Sequence, residues 1–155
     1  MTLLSGSSQA EIDATIERCW AIVADVASAP SWQGGLQSLE VVQRDELGRA
    51  LVCDTVTDAR FTTVRCRVRV GYEPPRRLAM ALVSSDDLDA MEASWELSEL
   101  AGGRTLACYR LAVDPGAVGL LARPLERALR PLVVGSRPAE LARAVAAAGA
   151  GSPSP

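Results

Sequence analysis

Residues 64–72 read Val-Arg-Cys-Arg-Val-Arg-Val-Gly-Tyr, so that apolar and basic side chains alternate along almost the whole segment. Successive side chains of a β-strand point to opposite faces of the sheet. The valines, the cysteine and Tyr72 therefore share one face, and Arg65, Arg67 and Arg69 share the other. A strand with one apolar and one charged face is typical of an antiparallel sheet that covers a single core.

The same two-residue period extends on both sides of this segment, interrupted by groups of Gly, Pro, Asp and Ser residues that are typical of turns. These groups lie at 45–48, 58–60, 73–75, 85–87 and 101–103. The sequence thus predicts six strands that form hairpins, at about 37–44, 49–57, 61–72, 77–84, 90–99 and 104–113. A seventh, short strand is predicted at 8–13.

Helical spacing of apolar residues replaces the strand pattern near both ends of the chain. Residues 14–28 predict an amphipathic helix with Thr15 as its N-cap, which Pro30 ends, and residues 31–35 predict a turn or a very short second helix. A long C-terminal helix is predicted from about residue 117 to 148. Because an interior proline removes a backbone hydrogen bond, we expect this helix to bend or break between Leu129 and Pro138.

The chain of 155 residues is long enough for one core, and we expect a single domain at 8–148 between a flexible N-terminus at 1–7 and a disordered tail at 149–155. The net charge of −3 argues against nucleic acid as a partner. No apolar run is long enough to span a membrane, and no signal sequence is recognised at the start, so the expectation is a cytoplasmic protein without integral membrane contact.

Histidine is absent from the sequence. Ser-His-Asp and Cys-His nucleophile activation, and most zinc, copper and non-haem iron sites, are therefore excluded. The four cysteines form no CxxC pair, and we expect reduced thiols, no metal and no cofactor. Cys53 and Cys66 are predicted to lie nearly opposite one another across the hairpin at 58–60.

Four segments, in chain order, resemble the START-like (SRPBCC) superfamily. They are residues 15–20 with the later Asp25 and Trp32, residues 72–78, residues 93–97, and residues 102–105 with Tyr109. The similarity is strongest with the branch labelled polyketide cyclase/dehydrase or coenzyme-Q-binding-like. This resemblance implies an α+β helix-grip fold, in which a curved antiparallel sheet of about seven strands wraps a long C-terminal helix and two short helices follow the first strand.

A helix-grip fold implies a cavity between the sheet and the C-terminal helix. Assigning the apolar parity of each strand to the inner face predicts which residues contact a hydrophobic ligand there. The predicted ligand-binding residues are Trp32, Val68, Val70, Met80, Met91, Trp95, Leu121, Leu125 and Leu129. The bland alternative is that these side chains simply fill the core.

Four residues are candidates for catalysis. Asp54 has the parity of the apolar Val52 and Val56, so burial would raise its pKa and make it a general acid or base, unless a bulge places it in solvent. The hydroxyls of Tyr72 and Tyr109 could donate to an enolate oxygen. Arg69 occupies roughly the place where aromatase/cyclases carry an inward arginine, although its parity with Arg65 and Arg67 predicts the outer face.

Two functions follow from the resemblance. The first is cofactor-independent cyclisation or dehydration of a bound polyketide-like molecule. The second is binding without reaction, as in a lipid or quinone carrier or sensor, and the absence of histidine and of paired inward carboxylates favours this one slightly. Either would act on a hydrophobic small molecule, as a monomer or a homodimer.

Overall fold

The computed structural model describes residues 4–58, 63–115 and 136–150. The seven strands in this part are β1 (Leu4–Ile12), β2 (Leu36–Arg44), β3 (Ala50–Asp58), β4 (Thr63–Glu73), β5 (Arg77–Ser84), β6 (Ala90–Leu100) and β7 (Arg104–Asp114). They form one antiparallel sheet in the order β1-β7-β6-β5-β4-β3-β2. The predicted meander is confirmed, and β1 closes it by pairing with the last strand. β1 begins at Leu4, earlier than predicted, because its backbone pairs with β7 along its whole length.

Two α-helices and one 3₁₀ helix are present in the described residues: α1 (Ile16–Ala24), the 3₁₀ helix (Val26–Ser31) and α2 (Arg137–Ala150). Thr15 caps α1 as predicted, since its hydroxyl accepts a hydrogen bond from the Arg18 N–H at 3.3 Å. α1 ends earlier than residue 28. The chain continues as the 3₁₀ helix, which contains Pro30. In it the Ser28 N–H donates to the Asp25 carbonyl at 3.1 Å, the i to i+3 hydrogen bond of this tighter helix.

The two α-helices pack on one face of the curved sheet, which we call the inner face. α1 contacts β6 and β7, while α2 contacts β1, β7 and α1. The alternation in β4 is confirmed: Val64, Cys66, Val68 and Val70 are buried, and the arginines between them are exposed. Together these contacts make the α+β helix-grip architecture that the sequence predicts.

The register between β3 and β4 corrects one prediction. Cys53 pairs with Val68, and Cys66 pairs with Thr55. The two cysteines share the inner face but are offset along the strands rather than opposite, because the register is centred one residue later in the chain than predicted. Both are free, buried thiols, as is Cys19.

Part of the C-terminal prediction lies outside the described residues. The predictions outside the described residues are the helix over 116–135, most of the expected bend between Leu129 and Pro138, and the tail after residue 150. The helix that is described, α2, begins at Arg137 and buries Leu141 and Val145. In the described ranges, no helix has the length and apolar character needed to span a membrane.

Candidate functional site

A cavity of about 90 Å³ lies between the inner face and the 3₁₀ helix, with the first residue of α2 at its wall. Most of its described lining is apolar: Val23, Val26, Ala29, Leu36, Leu39, Val68, Leu78, Met80, Met91, Ala93, Trp95 and Leu111. The polar lining residues are Gln33, Thr55, Thr57, Tyr109 and Arg137. The volume exceeds what one water needs, but it is smaller than the ~300–1,000 Å³ of pockets that enclose drug-sized ligands.

Three aromatic side chains form a row beside this cavity. The ring centroids of Trp32 and Trp95 are 5.9 Å apart, and those of Trp95 and Tyr109 are 4.9 Å apart. Trp95 and Tyr109 are cross-strand partners on β6 and β7, which fixes their inner-face contact. Both planes are tilted by about 50°, a geometry that aromatic pairs favour.

Arg137 brings a positive charge to the same wall. It is only 8% exposed, and its Nη1 donates to the Gly34 carbonyl at 2.7 Å and to Glu140 Oε1 at 2.9 Å. The positive charge of Arg137 also favours the ionised form of the Tyr109 hydroxyl, which lines the same cavity. Burial raises the pKa of Tyr109 despite this opposing effect of Arg137, so the hydroxyl stays protonated at neutral pH.

The predicted ligand-binding residues divide into three groups. Val68, Met80, Met91 and Trp95 line the cavity. Val70 is buried in the adjacent core, and Trp32 contacts Trp95. Leu121, Leu125 and Leu129 lie outside the described residues.

The inward placement of Asp54 is wrong. Its cross-strand partner is Arg67, and the two side chains are 42% and 45% exposed on the outer face. Arg67 donates two hydrogen bonds to the carboxylate, at 2.8 and 3.0 Å. These bonds hold the pKa of Asp54 below its usual range, opposite to the predicted shift, so Asp54 is not a desolvated acid or base of the cavity.

Arg69 and Tyr72 do not reach the cavity either. Arg69 is exposed on the outer face of β4, as its parity indicated. The Tyr72 hydroxyl donates to the Ala50 carbonyl at 2.6 Å, and the Arg49 guanidinium lies 4.4 Å from its ring centroid. Burial, the largest cause, raises the pKa of Tyr72 to about 12. Tyr109 is thus the one predicted catalytic residue among the described lining residues.

Four polar lining residues are not among those predicted from the sequence: Gln33, Thr55, Thr57 and Arg137. Thr55 and Thr57 lie on the same face of β3 as Cys53. They would have been predicted if Cys53, rather than Asp54, had been placed on the inner face. Arg137 gives no such signal, because an arginine just before a proline at a helix start is ordinarily solvated.

A larger depression of about 730 Å³ lies on the outer face of the sheet. Charged residues such as Arg69, Arg77 and Glu92 surround small side chains such as Ala79 and Ser94 there. Its mixed-charge rim does not suit a hydrophobic guest, so the inner cavity is the better candidate site. Within residues 4–58, 63–115 and 136–150, no group of three or more Cys, Asp or Glu side chains is placed to hold a metal ion.

Comparison with known proteins agrees with this architecture. The sequence profile of the family described as polyketide cyclase / dehydrase and lipid transport matches residues 12–135. A search of curated proteins finds no match.

Several solved structures are similar in fold. The Zhui aromatase/cyclase from Streptomyces sp. R1128 superposes with a TM-score of 0.75 at 15% identity, over 96% of this chain and 94% of that one. TTHA0849 from Thermus thermophilus gives 0.74 at 20% identity, over 93% and 98%. A START superfamily protein from Mycobacterium smegmatis gives 0.65 at 21% identity, over 83% and 96%. Identities this low establish the fold alone.

Proposed function

The chain belongs to the polyketide cyclase / dehydrase and lipid transport family, and from that premise we propose that it binds a hydrophobic polyketide- or lipid-like small molecule in the inner cavity. The observation that carries the proposal is the cavity itself. Its wall joins Trp95, Met80 and Met91 to a few hydrogen-bonding groups. That combination of a largely apolar wall and few polar groups is typical of small-molecule sites.

Tryptophan fluorescence tests this proposal directly. Trp95 lines the cavity, and Trp32 contacts Trp95. A bound molecule therefore changes the surroundings of two of the three tryptophans. We expect at least one of three ligands, menadione, 1-naphthol and decanoate, to give a saturable change in tryptophan emission on titration. The melting temperature should rise with the same ligand, since binding to the folded state alone stabilises it. No response to any of the three, in emission or in melting temperature, would contradict ligand binding here.

A second candidate function is cofactor-independent cyclisation with loss of water. The observation that favours it is the neutral Tyr109 hydroxyl at the cavity wall, which could donate to the oxygen of an enolate. Asp54, Arg69 and Tyr72 take no part in this proposal, because none of them lines the cavity. The carrier or sensor remains the alternative, since the described lining contains no carboxylate to act as a base.

Heptane-2,6-dione separates the two candidates. In its aldol condensation a terminal methyl carbon forms a bond to the distant carbonyl carbon, and one water leaves, to give 3-methylcyclohex-2-enone. Absorbance of the enone should grow faster with wild-type protein than with Tyr109→Phe if the chain is a cyclase. Binding of the diketone with no acceleration would instead support a carrier or sensor.

We also propose that the chain acts in the cytoplasm, as a monomer or homodimer, without nucleic acid as a partner. The free thiols of Cys19, Cys53, Cys66 and Cys108 fit a reducing compartment. The net charge of −3 supports the expectation about nucleic acid.

A further inference from the structure

The described cavity wall carries one charged side chain, Arg137, and no carboxylate. Glu140 pairs with Arg137 and accepts the Gly34 N–H, but it is not among the described lining residues. A ligand cation would meet a guanidinium without a facing anion, which costs free energy in a desolvated site. A ligand oxygen would instead meet hydrogen-bond donors.

The first two donors are Arg137 and Tyr109. A guanidinium has five N–H groups, and the hydrogen bonds of Arg137 to Gly34 and Glu140 within the described residues do not exhaust them. Tyr109 lines the same cavity, and its hydroxyl has a proton to donate. Tyr109 is 6% exposed, which leaves little water to supply that acceptor.

The third donor is the indole of Trp32. Its Nε1 is buried and has no hydrogen-bond partner, a condition shared only by Ser8 Oγ among the described side chains. Such a group is rare in folded proteins, and an acceptor atom of a ligand would satisfy it. Trp32 contacts Trp95, and the residues after it, Gln33 and Gly34, respectively line the cavity and bond to Arg137. These contacts place Trp32 next to the lining residues Trp95 and Gln33.

We propose that Arg137, Tyr109 and Trp32 form a donor cluster that binds an oxygen atom of the ligand, a ketone, enolate or phenolate oxygen on a small hydrophobic body. The inference rests on the proposed binding function and specifies its substrate class. The apolar part of the ligand lies against Leu78, Met80 and Met91, and the cavity volume of about 90 Å³ favours a single ring at this end.

Three probes of similar shape test the cluster: acetophenone carries the acceptor, ethylbenzene lacks it, and 1-phenylethylamine replaces it with a cation. Binding is followed on ¹⁵N-labelled protein through the indole N–H signal of Trp32, assigned by its loss in Trp32→Phe. Acetophenone should bind about ten times more tightly than ethylbenzene, the effect of one hydrogen bond to a charged or buried donor, and should move the Trp32 signal downfield. The amine should bind most weakly.

Variants locate the effect. Tyr109→Phe and Arg137→Met should each reduce the preference for acetophenone severalfold while leaving ethylbenzene affinity unchanged. Arg143→Met, at an exposed position of α2, is the matched control and should keep the full preference. If Arg137→Met fails to fold, as circular dichroism would show, Tyr109→Phe carries the test because it removes only an oxygen atom.

The outcomes separate the two proposals. Equal affinity for acetophenone and ethylbenzene, with an unmoved Trp32 N–H signal, would overturn the donor cluster but keep hydrophobic binding. Tightest binding of the amine would overturn the cluster as well. Failure of all three probes to bind would overturn the proposed binding function together with the inference drawn from it.

Discussion

The backbone N–H of Gly34 donates a hydrogen bond to Glu140 Oε2 at 2.5 Å, although the two residues are 106 positions apart in the sequence. Arg137 bonds both to the Gly34 carbonyl and to Glu140, so both polar groups of the Gly34 peptide backbone are held by α2. The loop before β2 and the start of α2 are thus joined at the cavity wall.

This junction predicts a specific cost for Gly34→Ala. A Cβ at that position would lie 2.6 Å from Glu140 Oε2, a distance at which the carboxylate must move and the buried pair loses its geometry. We expect a loss of about 1–3 kcal/mol in the free energy of unfolding, measured by urea denaturation. Gly71→Ala is the control, because a Cβ there meets nothing within 4 Å. Equal effects of the two substitutions would refute the proposed importance of the junction.

Filling the cavity should block binding without removing any part of the core. Ala93 lines the cavity and is 5% exposed. Ala93→Leu adds three heavy atoms to a space of about 90 Å³, so the affinity for any probe that binds the wild type should fall by about tenfold or more. Ala81→Leu, exposed on the outer face of β5, should leave affinity unchanged. Fluorescence titration measures both, and unaltered binding by Ala93→Leu would place the ligand elsewhere.

Both tyrosines should resist ionisation while the protein is folded. Burial raises the pKa of Tyr72 to about 12 and also raises that of Tyr109, whereas the unfolded chain titrates near 10. Phenolate absorbance should therefore stay low near pH 10 in the native protein and appear there in urea. Because the folded pKa values are the higher ones, the contribution of each tyrosine to stability is complete below about pH 10. It is lost as the pH rises through the folded pKa, which for Tyr72 is about 12. Native titration of either tyrosine near 10 would contradict the burial.

Asp54→Asn should leave ligand binding intact, because the carboxylate lies on the outer face with Arg67. Because both side chains are exposed, the pair should contribute little to stability. The pKa of Asp54 is lowered in the folded protein. The contribution of the pair is therefore present above the unfolded pKa of about 3.9 and is lost as the pH falls through the folded pKa. A double-mutant cycle with Arg67→Gln at pH 7 and pH 2 measures it. Loss of ligand binding in Asp54→Asn would return this residue to the site.

The sequence was sufficient where one face of a strand was clearly polar. Strict alternation in β4 predicted Val68 as inward and Arg69 as outward, and the same rule gave Trp95 and Tyr109. β3 offered no such contrast, because Val52 and Cys53 are both buried although they lie on opposite faces. The sequence therefore predicts Asp54, rather than Thr55 and Thr57, on the inner face of β3.

The donor cluster depended on information that no local pattern contains. Arg137 and Tyr109 line the same cavity only because α2 returns beside Gly34, more than a hundred residues earlier in the chain. Periodicity gives the face of an element, whereas the neighbours of that face follow from the tertiary fold.

The pairing of β1 with β7 has a consequence for how the protein is made. Contacts such as that of Glu11 with Arg104 join residues 93 positions apart, so β1 is synthesised well before β7, the strand with which it pairs. The hairpins from β2 to β7 can form in the order of synthesis, since each joins neighbouring strands. β1 stays unpaired during this period. Its sequence, Leu-Ser-Gly-Ser-Ser-Gln-Ala-Glu-Ile, is mostly polar, which lowers its tendency to aggregate while it is unpaired.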